Sequence, residues 1–208
     1  MKVNIIEITG KTTALLGLGL SYGITSDLDI LDFNHYTNDS IYAKCLNTAN
    51  TLAHKQGGHN KFLEAINISL DIKASRYWWS EFDTYRVGIT KQSESTIHTL
   101  TKRELTEDDF EYGLPYSFLH DLNEGIDRYK CAEHHEEKEH HFRTLKALLP
   151  EGFLQRRIVT LNAKTLQNII AQRINHRLPE WKFFCATLHD HLPYDICRWV
   201  FPEGHIAE

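Results

Sequence analysis

One helix of this chain carries an arginine where its stripe should be aliphatic. The stretch from Leu149 to Glu180 reads LPEGFLQRRIVTLNAKTLQNIIAQRINHRLPE. Winding Asn162 to Arg177 at about 100° per residue gathers Ala163, Leu166, Ile169 and Ile170 on one arc, and Arg173 falls inside it. Asn162 and Arg177 lie on or beside the same stripe. A guanidinium left alone among aliphatic side chains is costly, so an anionic partner is expected, either a carboxylate of the chain or a bound ligand. The stretch also fixes local architecture. Leu154 to Leu161 reads as a strand that feeds a helix over about Asn162 to His176, and Pro179 opens a further helix reaching about His189.

Elsewhere the pattern is mixed. Lys2 to Ile8 reads as a first strand, and Thr12 to Leu20 as a short apolar helix or turn region. Ser40 can cap a helix running to about Lys55, stopped by Gly57 and Gly58. Ile66, Ile68, Leu70 and Ile72 alternate with polar residues, which predicts a strand with one buried face. Ser75 to Arg86 reads as a core helix, its Tyr77, Trp78, Trp79 and Phe82 being core residues and not a stacking platform. The run KQSESTIHT after it reads as a polar loop, and Ser117 to Leu149 as one long helical pattern with a very polar centre, ended by Pro150. Strands and helices interleave without a βαβ rhythm, so the expected class is α+β, or irregular α/β. A single domain over residues 1–208 is expected, with a helical insertion at about 101–145.

A net charge of -5 argues against a chain that wraps nucleic acid. The four cysteines form no CxxC pair, which suggests neither a zinc ribbon nor a disulfide framework and points to a reducing cytoplasm. The N-terminal apolar region is broken by Glu7, Lys11 and glycines, so neither a signal peptide nor a membrane span is predicted. Gly10-Lys11-Thr12 is not a P-loop, since Ile5 occupies the position where that loop needs its first glycine. In HHEEKEHH, His134 to His141, the pairs His135/Glu139 and Glu137/His141 have the spacing to share a metal. A solvated helix face explains the same residues more simply, and no metal is expected.

Leu149-Pro150, then a strand, Asn162, Lys164, Asn168, Arg173 and Arg177 together resemble the C-terminal half of the flavin-dependent thymidylate synthases. Lys164 stands where the family carries arginine, and Arg177 where it carries histidine. Upstream, GGHNKFLEAINISLDI is similar to the family's GHxxxxE followed by a strand, and Lys146 occupies a further basic position. The resemblance runs from about Gly57 to Glu180. At the family's RHR signature the chain has Thr84-Tyr85-Arg86, with Glu81 in place of glutamine, and Gln92 to His98 resemble the run that follows with about one residue inserted. Losing two cationic groups there weakens attraction for a diphosphate, each charge-assisted bond being worth about 1.5 to 3 kcal/mol.

The resemblance implies a central, mostly antiparallel sheet with long helices, and an enzyme that modifies C5 of dUMP. In the family's scheme reduced FAD relays a methylene from methylenetetrahydrofolate, and NADPH recharges the flavin, in a homotetramer. Arg173 would be the catalytic residue, reaching the uracil and favouring ionisation at N3. Glu81, Arg86, Ser93, Glu94, Ser95 and Lys146 would complete the substrate set, with Lys146 on the phosphate. His59, Arg86, Asn162, Lys164, Asn168 and Arg177 would bind the cofactor. A relative installing hydroxymethyl, a catalytically inactive nucleotide-binding protein of the same fold, and a protein in which Arg173 merely pairs internally are the other readings.

Overall fold

The computed structural model describes residues 1–28, 40–202 and 204. Among the described residues four strands form one sheet in the order β1-β2-β4-β3, where β1 is Lys2–Thr9, β2 Asn67–Ser75, β3 Ile89–Ser93 and β4 Leu154–Asn162. It is a mixed architecture of helices and an antiparallel sheet, the class the alternation of elements implies. In β2 the residues Ile66, Ile68, Leu70 and Ile72 around the alternating run are fully buried, because period-two apolar side chains share one face of the pleat. Among the described residues no helix is long and apolar enough to cross a membrane.

Chain contacts divide the molecule into two compact units. The first comprises residues 1–2, 72–84 and 92–158. It holds α3 (Arg76–Phe82), α4 (Thr96–Thr99), α5 (Tyr116–Cys131) and α6 (His135–Leu148). Leu122 and Ile126 of α5 and Leu145 of α6 close over Leu100, Leu105, Phe110 and Phe153 to make its core. In α3, Trp78, Trp79 and Phe82 are buried and mutually packed, with ring centroids 4.9 to 5.4 Å apart, as core aromatics. Arg157 lies 4.3 Å from the Trp79 ring centroid and donates to both carboxylate oxygens of Asp83 at 3.0 Å.

The second unit comprises residues 3–71, 85–91 and 159–208. It contains α1 (Lys11–Ser21), α2 (Ser40–Leu52), α7 (Ala163–Arg173), α8 (Pro179–His191) and α9 (Tyr194–Val200). Gln167 of α7 ties several loops together. Its amide nitrogen donates to the carbonyls of Ala53 at 2.9 Å and Trp199 at 2.7 Å, and its amide oxygen accepts from Asn60 at 3.2 Å. Gly10, the residue a P-loop reading would have used, makes the turn from β1 into α1 with φ +82°, and a Cβ there would sit 2.1 Å from the Ala65 carbonyl oxygen. Glycine is needed there for backbone approach, with no phosphate involved.

Three local expectations are corrected. The pattern from Ser117 to Leu149 is two helices, broken at Ala132 to His134, just before the polar run HHEEKEHH, which is itself helical from His135 as the start of α6. The helix expected to reach Arg86 ends at Phe82, once its aromatic face is buried, and Tyr85 and Arg86 lie in the following turn. The polar run after it contains β3, whose mostly exposed side chains hide the strand from any hydrophobic pattern. Helix α9, with Ile196, Trp199 and Val200 fully buried, was not anticipated.

Candidate functional site

In the second unit, β4 delivers the chain directly into α7. Asn162 is the N-cap of that helix: its side-chain oxygen accepts from the Thr165 backbone N–H at 2.8 Å, satisfying a donor that the helix itself cannot. Gly88 packs against this cap. It has φ +68°, a Cβ on it would lie 2.4 Å from the Asn162 amide nitrogen, and its carbonyl accepts from the Asn162 backbone N–H at 3.1 Å. Thr165 Oγ1 donates to the neighbouring Val87 carbonyl at 2.9 Å, so both ends of the cap hold the turn that carries Tyr85 and Arg86.

Arg173 ends α7 half-buried. Its Nε donates to Tyr85 Oη at 2.8 Å, and its guanidinium carbon lies 4.7 Å from the Trp181 ring centroid and 5.6 Å from that of Tyr85. Two π faces and a phenol therefore meet the cation on this stripe, and one of those faces, Trp181, directly follows the buried Glu180 in sequence. Tyr85 Oη in turn donates to Gln172 Oε1 at 3.0 Å, and Gln172 Nε2 donates to Asn168 Oδ1 at 3.0 Å. Arg173, Tyr85, Gln172 and Asn168 thus form one hydrogen-bonded chain. It links two of the family-spaced positions through Gln172, to which the sequence assigns no role, and through Tyr85, named there only as a departure from the signature. Gln172 was detectable as the residue one turn beyond Asn168, and Tyr85 as the centre of the altered signature triplet.

The remaining cofactor-set residues of this unit are dispersed. Lys164 is half-buried, while Arg86 and Arg177 are exposed. His59 is exposed and borders a separate cavity of about 480 Å³ between α1 and the loop after α2, whose walls include Tyr22, Gly57, Gly58, Lys61 and Phe62.

In the first unit, Ser93, Glu94 and Ser95 follow one another out of β3. The Glu94 backbone N–H donates to the Arg156 carbonyl at 2.8 Å, extending the sheet edge, and Ser95 begins α4, its carbonyl accepting from the His98 and Thr99 backbone N–H groups. Lys146, in the last turn of α6, donates to Thr96 Oγ1, which brings it to this segment. Glu81 belongs to α3, apart from these contacts; its carbonyl accepts from Thr84 Oγ1 at 2.7 Å.

Of the two candidate metal pairs on α6, Glu139 accepts from Arg143 at 2.6 Å, and His141 stands 3.9 Å from Glu137. Among the described residues, potential ligand atoms come within 4.8 Å of one another at His120, Asp121 and Glu124, all exposed, and Glu124 also accepts from Arg128 at 3.0 Å. All four cysteines are free. Burial alone pushes the Cys185 thiol up to about 12, so it has no thiolate to offer near neutral pH.

This arrangement of sheet and helices is the fold of the flavin-dependent thymidylate synthases. Two solved structures of thymidylate synthase X from Helicobacter pylori, both with FAD and dUMP, align with TM-scores of 0.69 and 0.68. Each is 16% identical over 96% of this chain, and the alignments cover 97% and 98% of theirs. No protein-family profile matches the chain, and no curated protein matches it in sequence.

Proposed function

We propose that this chain is a flavin-dependent enzyme acting on C5 of dUMP, converting it to dTMP. The reading rests on the hydrogen-bonded chain of Arg173, Tyr85, Gln172 and Asn168, built on a fold whose H. pylori representative holds FAD and dUMP. A guanidinium whose plane is set by Tyr85 and Trp181 suits a flat, ionisable ring such as uracil. Its positive charge would stabilise the negative charge that develops on the ring when C5 becomes nucleophilic. Lys146, Ser93, Glu94 and Ser95 are the proposed remainder of the nucleotide set, with Glu81 and Arg86 as helpers.

The residues present fit the ring end of a flavin. The cavity beside His59 joins aromatic and glycine surfaces to the Lys61 cation, a combination suited to a flat ring that carries negative charge when reduced. His59, Lys164, Asn168, Arg86 and Arg177 would hold the cofactor, and Asn162 would act by capping the helix that carries Lys164 and Asn168. Bound flavin supplies the methylene relay and the reducing electrons. Methylenetetrahydrofolate and NADPH as co-substrates, a homotetramer and a cytoplasmic location belong to the same proposal.

The purified protein is expected to be yellow, and dUMP to raise its melting temperature, since a ligand that binds only the native state stabilises it. Arg173→Ala is expected to weaken dUMP binding by roughly 10- to 100-fold, the equivalent of one charge-assisted hydrogen bond. Colourless protein with no thermal response to dUMP, and an Arg173→Ala variant indistinguishable from the parent, would sink the proposal. A second reading, a nucleotide-binding protein without turnover, is favoured by Tyr85. That residue is 8% exposed and engaged with Arg173 at the signature position where the resemblance calls for an imidazole. Colourless protein that dUMP still stabilises would select it.

A further inference from the structure

The loop that carries His59 is held at its base and not at its tip. From Lys55 to His59 every residue is exposed, and the chain turns there through Gly57 and Gly58, at φ +78° and +86°. A tip of this kind has little packing to fix it. The two ends of the loop are buried and joined directly: Asn60 Nδ2 donates to the Ala53 carbonyl at 3.1 Å.

Gln167 fastens this base to the rest of the second unit. Its amide nitrogen donates to the Ala53 carbonyl at 2.9 Å and to the Trp199 carbonyl at 2.7 Å, while its Oε1 accepts from Asn60 Nδ2 at 3.2 Å. Both side-chain amides therefore have one workable orientation, since turning either over would set oxygen against oxygen. His54 Nε2 adds a tie to α9 by donating to the Arg198 carbonyl at 2.9 Å. The Trp199 ring in turn supports Phe62 edge-on, with centroids 5.4 Å apart. Gly57, Gly58, His59 and Phe62 all line the cavity beside α1, and Gln167 does not. One side chain thus stands behind two of its walls, the loop through Ala53 and Asn60 and Phe62 through Trp199.

We propose that Gln167 is a positioning residue for this cavity: it locks the base of the Ala53–Asn60 loop to α7 and α9, so that the loop and Phe62 offer a preformed wall to a flat ring. A wall already ordered in the free protein spares the ligand the entropy of ordering it, which for a turn through two glycines is large. The same bond pattern joins the loop to the helix that bears Asn168 and Arg173, and so gives wall and guanidinium a common support. The fastening stands on the hydrogen bonds themselves, while the identity of the ring as flavin rests on the function proposed above.

Gln167→Met, which keeps the side-chain length and removes all three bonds, tests this in the full chain. Hydrogen exchange followed by mass spectrometry is read at peptides covering residues 53–63, where the Ala53, Lys55, Lys61 and Leu63 backbone N–H groups are hydrogen-bonded. Exchange there is expected to quicken roughly tenfold, with α2 and β2 unchanged. FAD is expected to bind roughly tenfold more weakly, and the visible circular dichroism of the bound flavin to move toward that of the free cofactor. Gln167→Asn, one methylene shorter and still an amide, is expected to give the same changes at smaller size, and it carries the test should melting curves show the methionine variant unfolded. Unchanged exchange at 53–63, or a rise shared equally by α2 and β2, overturns the proposal, as does FAD binding with the parent's affinity and dichroism. Local loosening in a chain whose parent form takes up no FAD supports the fastening and counts against the flavin function instead.

Discussion

Arg103 in the first unit and Arg173 in the second are oriented by different contacts. Arg103 meets the buried carboxylate of Asp109 through two short parallel bonds, a geometry that fixes a loop. Among the contacts of Arg173 are a phenol and two ring faces, groups that orient a guanidinium. A carboxylate partner makes an arginine a structural fastener. Aromatic contacts fix the plane of an arginine, a device useful for recognising a planar ligand.

The sharpest way to break this contrast is to remove Asp109. Asp109→Ala strands the Arg103 and Thr106 donors and is expected to lower stability by about 2 kcal/mol in urea unfolding. The loss is moderated because Arg103 is exposed and its charge is partly screened. The same residue sets a pH signature. Burial pushes the Asp109 carboxyl up, but hydrogen bonds from Arg103 and the Thr106 backbone outweigh this and hold it below its ordinary value. Its contribution is therefore complete above the unfolded carboxylate value of about 4 and is lost as pH falls through the lower folded value. Acid unfolding of Asp109→Ala should show a correspondingly flatter limb below about pH 4; an unchanged limb would show that Asp109 is not the group responsible.

Tyr85→Phe probes the other arginine. It keeps the ring under Arg173 and deletes only the hydroxyl shared with Gln172, so a stability loss of about 1 kcal/mol is expected. The contrast predicts that its larger effect falls on ligand affinity. Equal losses in stability and none in dUMP affinity would make Arg173 a fastener like Arg103. Smaller still, at about 1 kcal/mol or less, is the expected cost of Asn162→Ala, which removes the α7 cap. A thermal melt reads it directly, and loss of bound flavin with no change in melting would instead give Asn162 a direct cofactor contact.

The helix under Arg173 was legible because α7 carries a period near 3.6 with an asparagine at its start, and β2 because its apolar residues alternate cleanly. Strand β3 and the break between α5 and α6 were not. The first buries too little for alternation to appear, and the second depends on which short apolar stripes find partners. The site was partly legible in the same way. Spacing alone singled out Asn168 and Arg173, but the residues that join them, Gln172 and Tyr85, enter through contacts separated by 87 and 88 positions in the chain.

By itself, the sequence determined that an arginine had to be accommodated on the α7 stripe, since periodicity is a local property of the chain. Only the tertiary structure decided what accommodates it. It also decided that Asn162 serves as a cap and that Gln167 meets Ala53, Asn60 and Trp199 from three separate segments. Charge acts through space, and its neighbours are fixed by packing between residues that no sequence pattern relates.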